Sequence, residues 1–213
     1  MTIPADSSAF LDAVEARRSY TAIGNTSPIP DEKLKAIIEH AVKYTPTAFN
    51  MQSSRVVLVT GQKHQDLWKM IESTYLAVVG DNEEQIKMTK ARVASFLNGY
   101  GTILTFEDNA VINGFSGNMP ALAKVFPVWA ENQAGMLQYV LWAALAKEGL
   151  GVSLQHYAAY SAETSAEIAK LLDVPQSWQN TGIMPFGVPT GAPGNPARPK
   201  TFQPVEDRVK IIS

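Results

Sequence analysis

The chain has 213 residues and a mass of 23.2 kDa, with 46% hydrophobic and 18% charged residues, enough apolar content to bury a sizeable core and to exclude disorder as the default. A net charge of −2 leaves no basic face for a nucleic-acid backbone or an anionic membrane surface. The absence of cysteine excludes disulfides, thiolate catalysis and Cys-ligated zinc or iron–sulfur centres.

The N-terminus, Met1-Thr2-Ile3-Pro4-Ala5-Asp6, lacks the basic start and apolar core of a signal peptide, so a soluble cytoplasmic protein is expected. Residues 1–213 are expected to form a single domain. Phe10 to Ala16 reads as an amphipathic segment ending at Arg17-Arg18-Ser19. Asp31 to Tyr44 places Leu34, Ile37, Ile38, Ala41 and Val42 on one stripe and predicts a half-buried helix, stopped by Pro46. Arg55 to Thr60 reads as a strand. Helical patterns follow over His64–Val79 and Glu83–Tyr100, and Gly101 to Phe106 reads as a second strand. Asp108 to Pro120 reads as an irregular, glycine-containing stretch carrying Phe115 and Met119, a candidate substrate lid.

Pro127 to Gly149 predicts a long helix, apolar almost all round, which must lie at the centre of the domain or in a subunit interface. Its uncharged part, Met136 to Ala146, is too short to span a bilayer. Val152-Ser153-Leu154 reads as a short strand. Thr164 to Glu167 fits a capping box for a helix through Leu172. Thr181 to Phe186 reads as a fourth strand, and Arg208 to Ile212 alternates like an edge strand. Strands do not alternate regularly with single helices, so an α+β mixed sheet is expected.

Three stretches carry candidate chemistry. Asn50 and Gln52 lie two apart in Pro46-Thr47-Ala48-Phe49-Asn50-Met51-Gln52. A primary amide both donates and accepts, so it matches a heteroaromatic edge of alternating carbonyl and N–H groups; it equally caps local backbone. Arg17 and Arg18 with Ser19 suit a phosphate, although basic residues also favour helix C-termini. Gly187 to Lys200 is rich in Pro and Gly and ends in Arg198 and Lys200, as a stiff linker would or as a loop returning cations to that phosphate. His40 and His64 are expected to be solvated. No pair of histidines has metal-ligand spacing, so no metal site is expected.

This ordered set resembles the nitroreductase family of FMN-dependent flavoproteins, over about Phe10 to Ile212. The matching elements are Arg17-Arg18-Ser19, the run with Pro46, Thr47, Asn50 and Gln52, Gly149-Leu150-Gly151, and Gly187-Val188-Pro189 followed by Arg198 and Lys200. Leu154 to Tyr157 and Phe186 to Pro189 look most like its fungal and bacterial fatty-acid-repression-mutant-type subgroup. The resemblance implies a mixed sheet surrounded by helices, a long central helix, and a homodimer with exchanged C-terminal arms. It implies FMN as cofactor, with hydride passing from NAD(P)H to nitroaromatic or quinone acceptors in a ping-pong scheme. Arg17, Arg18, Ser19, Arg198 and Lys200 would hold the phosphate and ribityl chain, and Asn50 and Gln52 the ring edge. Gln155 and His156 would lie beside the reducible face; His156 otherwise reads as a core histidine. A flavin-binding regulatory or sensory protein with slow turnover and a structural dimer that has lost its flavin are the alternative classes.

Overall fold

A computed structural model describes residues 7–195 and 197–212. The helices are α1 (Ser8–Ala16), α2 (Asp31–Tyr44), α3 (Gly61–Val79), α4 (Glu83–Leu97), α5 (Asn109–Asn118), α6 (Phe126–Lys147) and α7 (Ala162–Leu172). The strands are β1 (Ile23–Gly24), β2 (Ser54–Thr60), β3 (Gly101–Asp108), β4 (Gly151–Val152) and β5 (Trp178–Pro189). They form one five-stranded sheet in the order β1-β5-β3-β2, with β4 also on β5. The strand pairs are antiparallel, and a parallel bridge between Ser19 and Val152 makes the sheet mixed.

β3 is buried along its whole length because helices cover both faces of the sheet. Successive side chains of a strand point to opposite faces. Leu104 and Phe106 therefore meet Leu67, Trp68 and Ile71 of α3 and Val93 and Phe96 of α4, in one core. Ile103 meets Leu34 of α2 and Leu137, Leu141 and Leu145 of α6, in the other. A third cluster, Met51, Ile112, Phe126 and Ala130, lies at the end of the sheet where β2 begins. A side chain at Gly187 of β5 would overlap the Gly24 carbonyl, so the close β1–β5 approach requires glycine there.

The long α6 fulfils the expectation of a central helix, and α2 runs over the residues predicted. Other expectations are corrected. Asp108 to Pro120 is not irregular but mostly α5: Asp108 caps it through Ala110 N–H, and Val111, Ile112 and Phe115 face the core. Its Gly114 and Gly117 do not take a positive φ, so the helix continues through them. Arg208 to Ile212 is not a strand; it is exposed, follows a turn and pairs with no strand among the described residues. The cap of α7 is Ser161, whose Oγ accepts from Thr164 N–H at 3.3 Å, rather than Thr164, which is buried and bonded to Thr74. β5 starts three residues before the predicted strand and ends three after it. His40 is exposed as expected, but His64 is 1% exposed, on the face of α3 that meets β3.

Among the described residues no helix is long and apolar enough to cross a membrane, and no cluster of three or more His, Cys, Asp or Glu could hold a metal.

Candidate functional site

Arg17 leaves α1 in an extended conformation, and its guanidinium stacks 4.4 Å above the ring of Trp142 on α6. Its Nε is buried without a hydrogen-bond partner. The next residue, Arg18, accepts at its carbonyl from Trp142 Nε1 at 3.3 Å. Ser19 is fixed by its bridge to Val152 and accepts from Gly194 N–H at 2.7 Å. A Cβ at Gly194 would lie 3.5 Å from an Arg18 Nη, so the Pro/Gly loop docks on Arg18 and Ser19. Arg198 follows directly, held in a turn by its N–H bond to Asn195 O. Arg198 and Lys200 are exposed, and Lys200 lies over Phe202 at 4.8 Å. Guanidinium groups are suited to a phosphate, which they can bind as a fork.

Asn50 and Gln52 lie in a second place. With Thr45, Thr47 and Arg55 they line a cleft of about 220 Å³ against Leu137 of α6. Phe49, Asn50 and Gln52 all have positive φ, at 52°, 53° and 50°. Asn tolerates this region; for Phe and Gln it costs about 1–2 kcal/mol each. Strain of this kind persists only where the surroundings impose it. Phe49 packs on Phe126 and Trp129, and Gln52 N–H donates to Thr47 Oγ1 at 3.1 Å. Both amide side chains are exposed, and the Gln52 amide reaches only the Asn50 carbonyl, at 3.3 Å.

Gln155 and His156 lie in a third place. Gln155 bridges Ile183 of β5, and its side chain donates to Ser153 Oγ at 2.7 Å. Together with Leu154, Tyr157 and Tyr160 they line a cavity of about 400 Å³ closed by Tyr75 of α3 and by Gln85, Met88, Thr89 and Arg92 of α4. Burial pushes the Tyr157 phenol up to about 12, so it stays protonated as part of the wall. His156 is exposed, not a core residue, and also borders a second cavity with Glu131, Asn180 and Thr181.

The fold thus docks the basic loop on Arg18 and Ser19, while the amide pair and the Gln155–His156 pair line separate cavities. Sequence reasoning missed Arg92, Thr89 and Gln85. They lie at i, i+4 and i+7 on one stripe of α4, which from sequence reads as a solvated face. It also missed the carboxylates Glu107 and Asp108 at the end of β3.

Comparison with known proteins agrees with this architecture. The sequence profile of the Nitroreductase family matches residues 14–188. Two Saccharomyces cerevisiae relatives, HBN1 and nitroreductase FRM2, are each 31% identical, over 206 and 186 residues; they cover 96% and 86% of this chain and 97% and 90% of their own lengths. Nitroreductase CinD from Lactococcus lactis, solved in complex with chloramphenicol, superposes with a TM-score of 0.82 at 33% identity, over 96% of this chain and 100% of that one. CinD has also been solved with nicotinic acid and with 4-nitrophenol. The mixed sheet, the long α6 and the ordered arginine, amide and Pro/Gly elements therefore have one source: the chain belongs to the nitroreductase family.

Proposed function

We propose that the whole chain acts as one domain, pairs with a second copy, and binds FMN to pass hydride from NAD(P)H to a nitroaromatic, quinone or similar acceptor. The observation that carries this reading is the Arg17 guanidinium on Trp142, its Nε unpartnered, next in sequence to Arg18 and Ser19, on which the Pro/Gly loop docks. A guanidinium with an unused N–H donor suits a phosphate. Arg17, Arg18 and Ser19 would hold the phosphate, with Arg198 and Lys200 closing over it. Asn50 and Gln52 would read the ring edge, since their amides offer both donors and acceptors. Gln155 and His156 would border the reducible face, and Arg92 in the same cavity would offset negative charge there.

When bound, FMN supplies the capacity to take and give hydride. The chain's part is to bind, orient and leave one face open. The chloramphenicol and 4-nitrophenol complexes of CinD support a nitroaromatic acceptor.

A second copy is favoured by an apolar face. Tyr44 of α2 is 63% exposed, and Met136 and Val140 of α6 are 43% and 40% exposed; they line a cavity of about 330 Å³. The C-terminal arm adds Phe202, Val205, Val209, Ile211 and Ile212, all exposed. Contiguous exposed apolar surface marks an interaction site. A cofactor spanning two copies would also reconcile separate cavities for the amide pair and the Gln155–His156 pair.

The test is the visible spectrum of the purified protein before and after NADH. A flavin spectrum that bleaches with NADH and returns with a quinone is the expected result. A colourless protein that takes up no FMN would refute the reading.

A further inference from the structure

Glu107 is a buried charged group that the proposed function does not use. It is 3% exposed. Its Oε2 accepts from Ser53 Oγ at 2.5 Å and from Gln133 Nε2 at 2.7 Å, and its Oε1 accepts from Ser54 Oγ at 2.6 Å. Among the described residues no cation pairs with it; the neighbouring Arg55 pairs with Asp108 at 3.1 Å instead. A buried carboxylate without a cation is costly, and three neutral donors only partly offset that cost. Burial accordingly pushes its pKa up, against the lowering effect of the three hydrogen bonds. A neutral residue would serve packing better here, so the carboxylate has a use other than stability.

What Glu107 touches indicates that use. Ser53 and Ser54 directly follow Gln52. The register of β2 on β3 sets Ser54 opposite Glu107. Asp108 N–H donates to Ser53 O at 2.9 Å. Arg55, held by Asp108, donates to Gln52 O at 2.7 Å. The doublet Glu107–Asp108 therefore holds Ser53, Ser54 and Arg55 directly and Gln52 through Arg55, just after the positive-φ residues Phe49, Asn50 and Gln52. Gln133 ties the same carboxylate to α6.

We propose that Glu107 is a positioning residue: by fixing the Ser53 and Ser54 hydroxyls it holds the strained Phe49–Gln52 loop so that the Asn50 and Gln52 amides are preorganised for the flavin ring. This rests on the assignment of that loop to the ring edge. Preorganised groups bind better because their ordering cost is met during folding.

The test uses the full chain and E107Q, which keeps volume but offers one acceptor oxygen where two hydroxyls need one each. The expected result is a dissociation constant for FMN raised about tenfold. Riboflavin should be weakened by the same factor, because the defect lies at the ring and not at the phosphate. The absorption band of the bound flavin should shift. The loss should be non-additive with Gln52→Ala, because both changes act through one loop. Additive losses, or unchanged affinity and spectrum, would overturn the proposal. Should E107Q not fold, S54A removes one arm of the grip at a half-buried position, and its non-additivity with Gln52→Ala is read instead. Backbone amide exchange separates this proposal from the functional reading. If the wild type takes up no FMN, that reading falls. Faster exchange in E107Q confined to residues 48–54 still supports the grip, and unchanged exchange there overturns it.

Discussion

Thr102 Oγ1 lies 2.9 Å from His64 Nδ1 and also accepts from Trp68 Nε1 at 2.9 Å. The other ring nitrogen, His64 Nε2, is 3.0 Å from Phe96 O, which can only accept. Nε2 therefore carries the proton, and the Thr102 hydroxyl donates to Nδ1. The ring is neutral with both nitrogens satisfied, and its burial lowers its pKa below 6.5. The unfolded chain takes up that proton more readily than the folded one. The stability His64 contributes is thus complete above about 6.5 and is lost as pH falls through that value toward the lower folded pKa. In urea titrations across this window, His64→Gln should flatten the dependence. Thr102→Val should destabilise by about 2 kcal/mol, since it strands two buried partners. An unchanged pH dependence in His64→Gln would show that the proton is taken up elsewhere.

Glu107 carries the opposite sign. Its folded pKa is raised, so its contribution is greatest below the usual carboxylate range and is lost as pH rises through the raised value. E107Q should remove that loss, making the variant's stability less sensitive to pH from the mid-acid range upward. Calorimetric Tm values at a series of pH settings would show it. Parallel curves for the two proteins would contradict it.

Arg17→Ala or Arg18→Ala should weaken FMN binding by about 1–3 kcal/mol, the usual loss for a charge-assisted contact. Riboflavin, which lacks the phosphate, should lose less. Equal losses for both ligands would mean that Arg17 serves only to cover Trp142. The same comparison for Arg198 should show a smaller effect, because Lys200 follows it closely.

Val140→Glu would place a carboxylate on the apolar face between α2 and α6. Burying it unpaired costs several kcal/mol, enough to raise a dimer dissociation constant about a hundredfold or more. Light scattering should show monomer, and flavin retention should fall with it. Deleting residues 205–213 should act in the same direction, through the exposed apolar arm. A wild-type monomer at micromolar concentration with a full complement of flavin would remove the basis for both expectations.

If one open face serves donor and acceptor in turn, initial rates should give parallel lines in double-reciprocal plots. Gln52→Ala should slow both half-reactions by about tenfold or more. His156→Ala should alter acceptor preference more than NADH oxidation, since His156 is exposed at the mouth of two cavities. Intersecting lines would require both substrates to bind together.

The sequence by itself determined those features whose causes are local. The α2 stripe of Leu34 to Val42, the β-branched run Val56-Val57 of β2 and the apolar run of α6 each specify their element through local pattern. Asn50, Gln52, Arg17 and Arg18 were legible as candidates because their side-chain chemistry is recognisable without coordinates. α5 was misread because Gly114 and Gly117 look like breakers until tertiary structure shows them facing open space and Val111, Ile112 and Phe115 facing the core. Only the tertiary structure decided what depends on which face a side chain meets. It buried His64 against Thr102, brought Gly194 to Ser19 from 175 residues along the chain, and placed Arg92 across from Gln155. It also set Glu107 beside Ser53 and Ser54, 54 and 53 residues away. Each of these depends on strand register and helix packing, which are fixed by the total burial of the core and leave no mark on the local pattern.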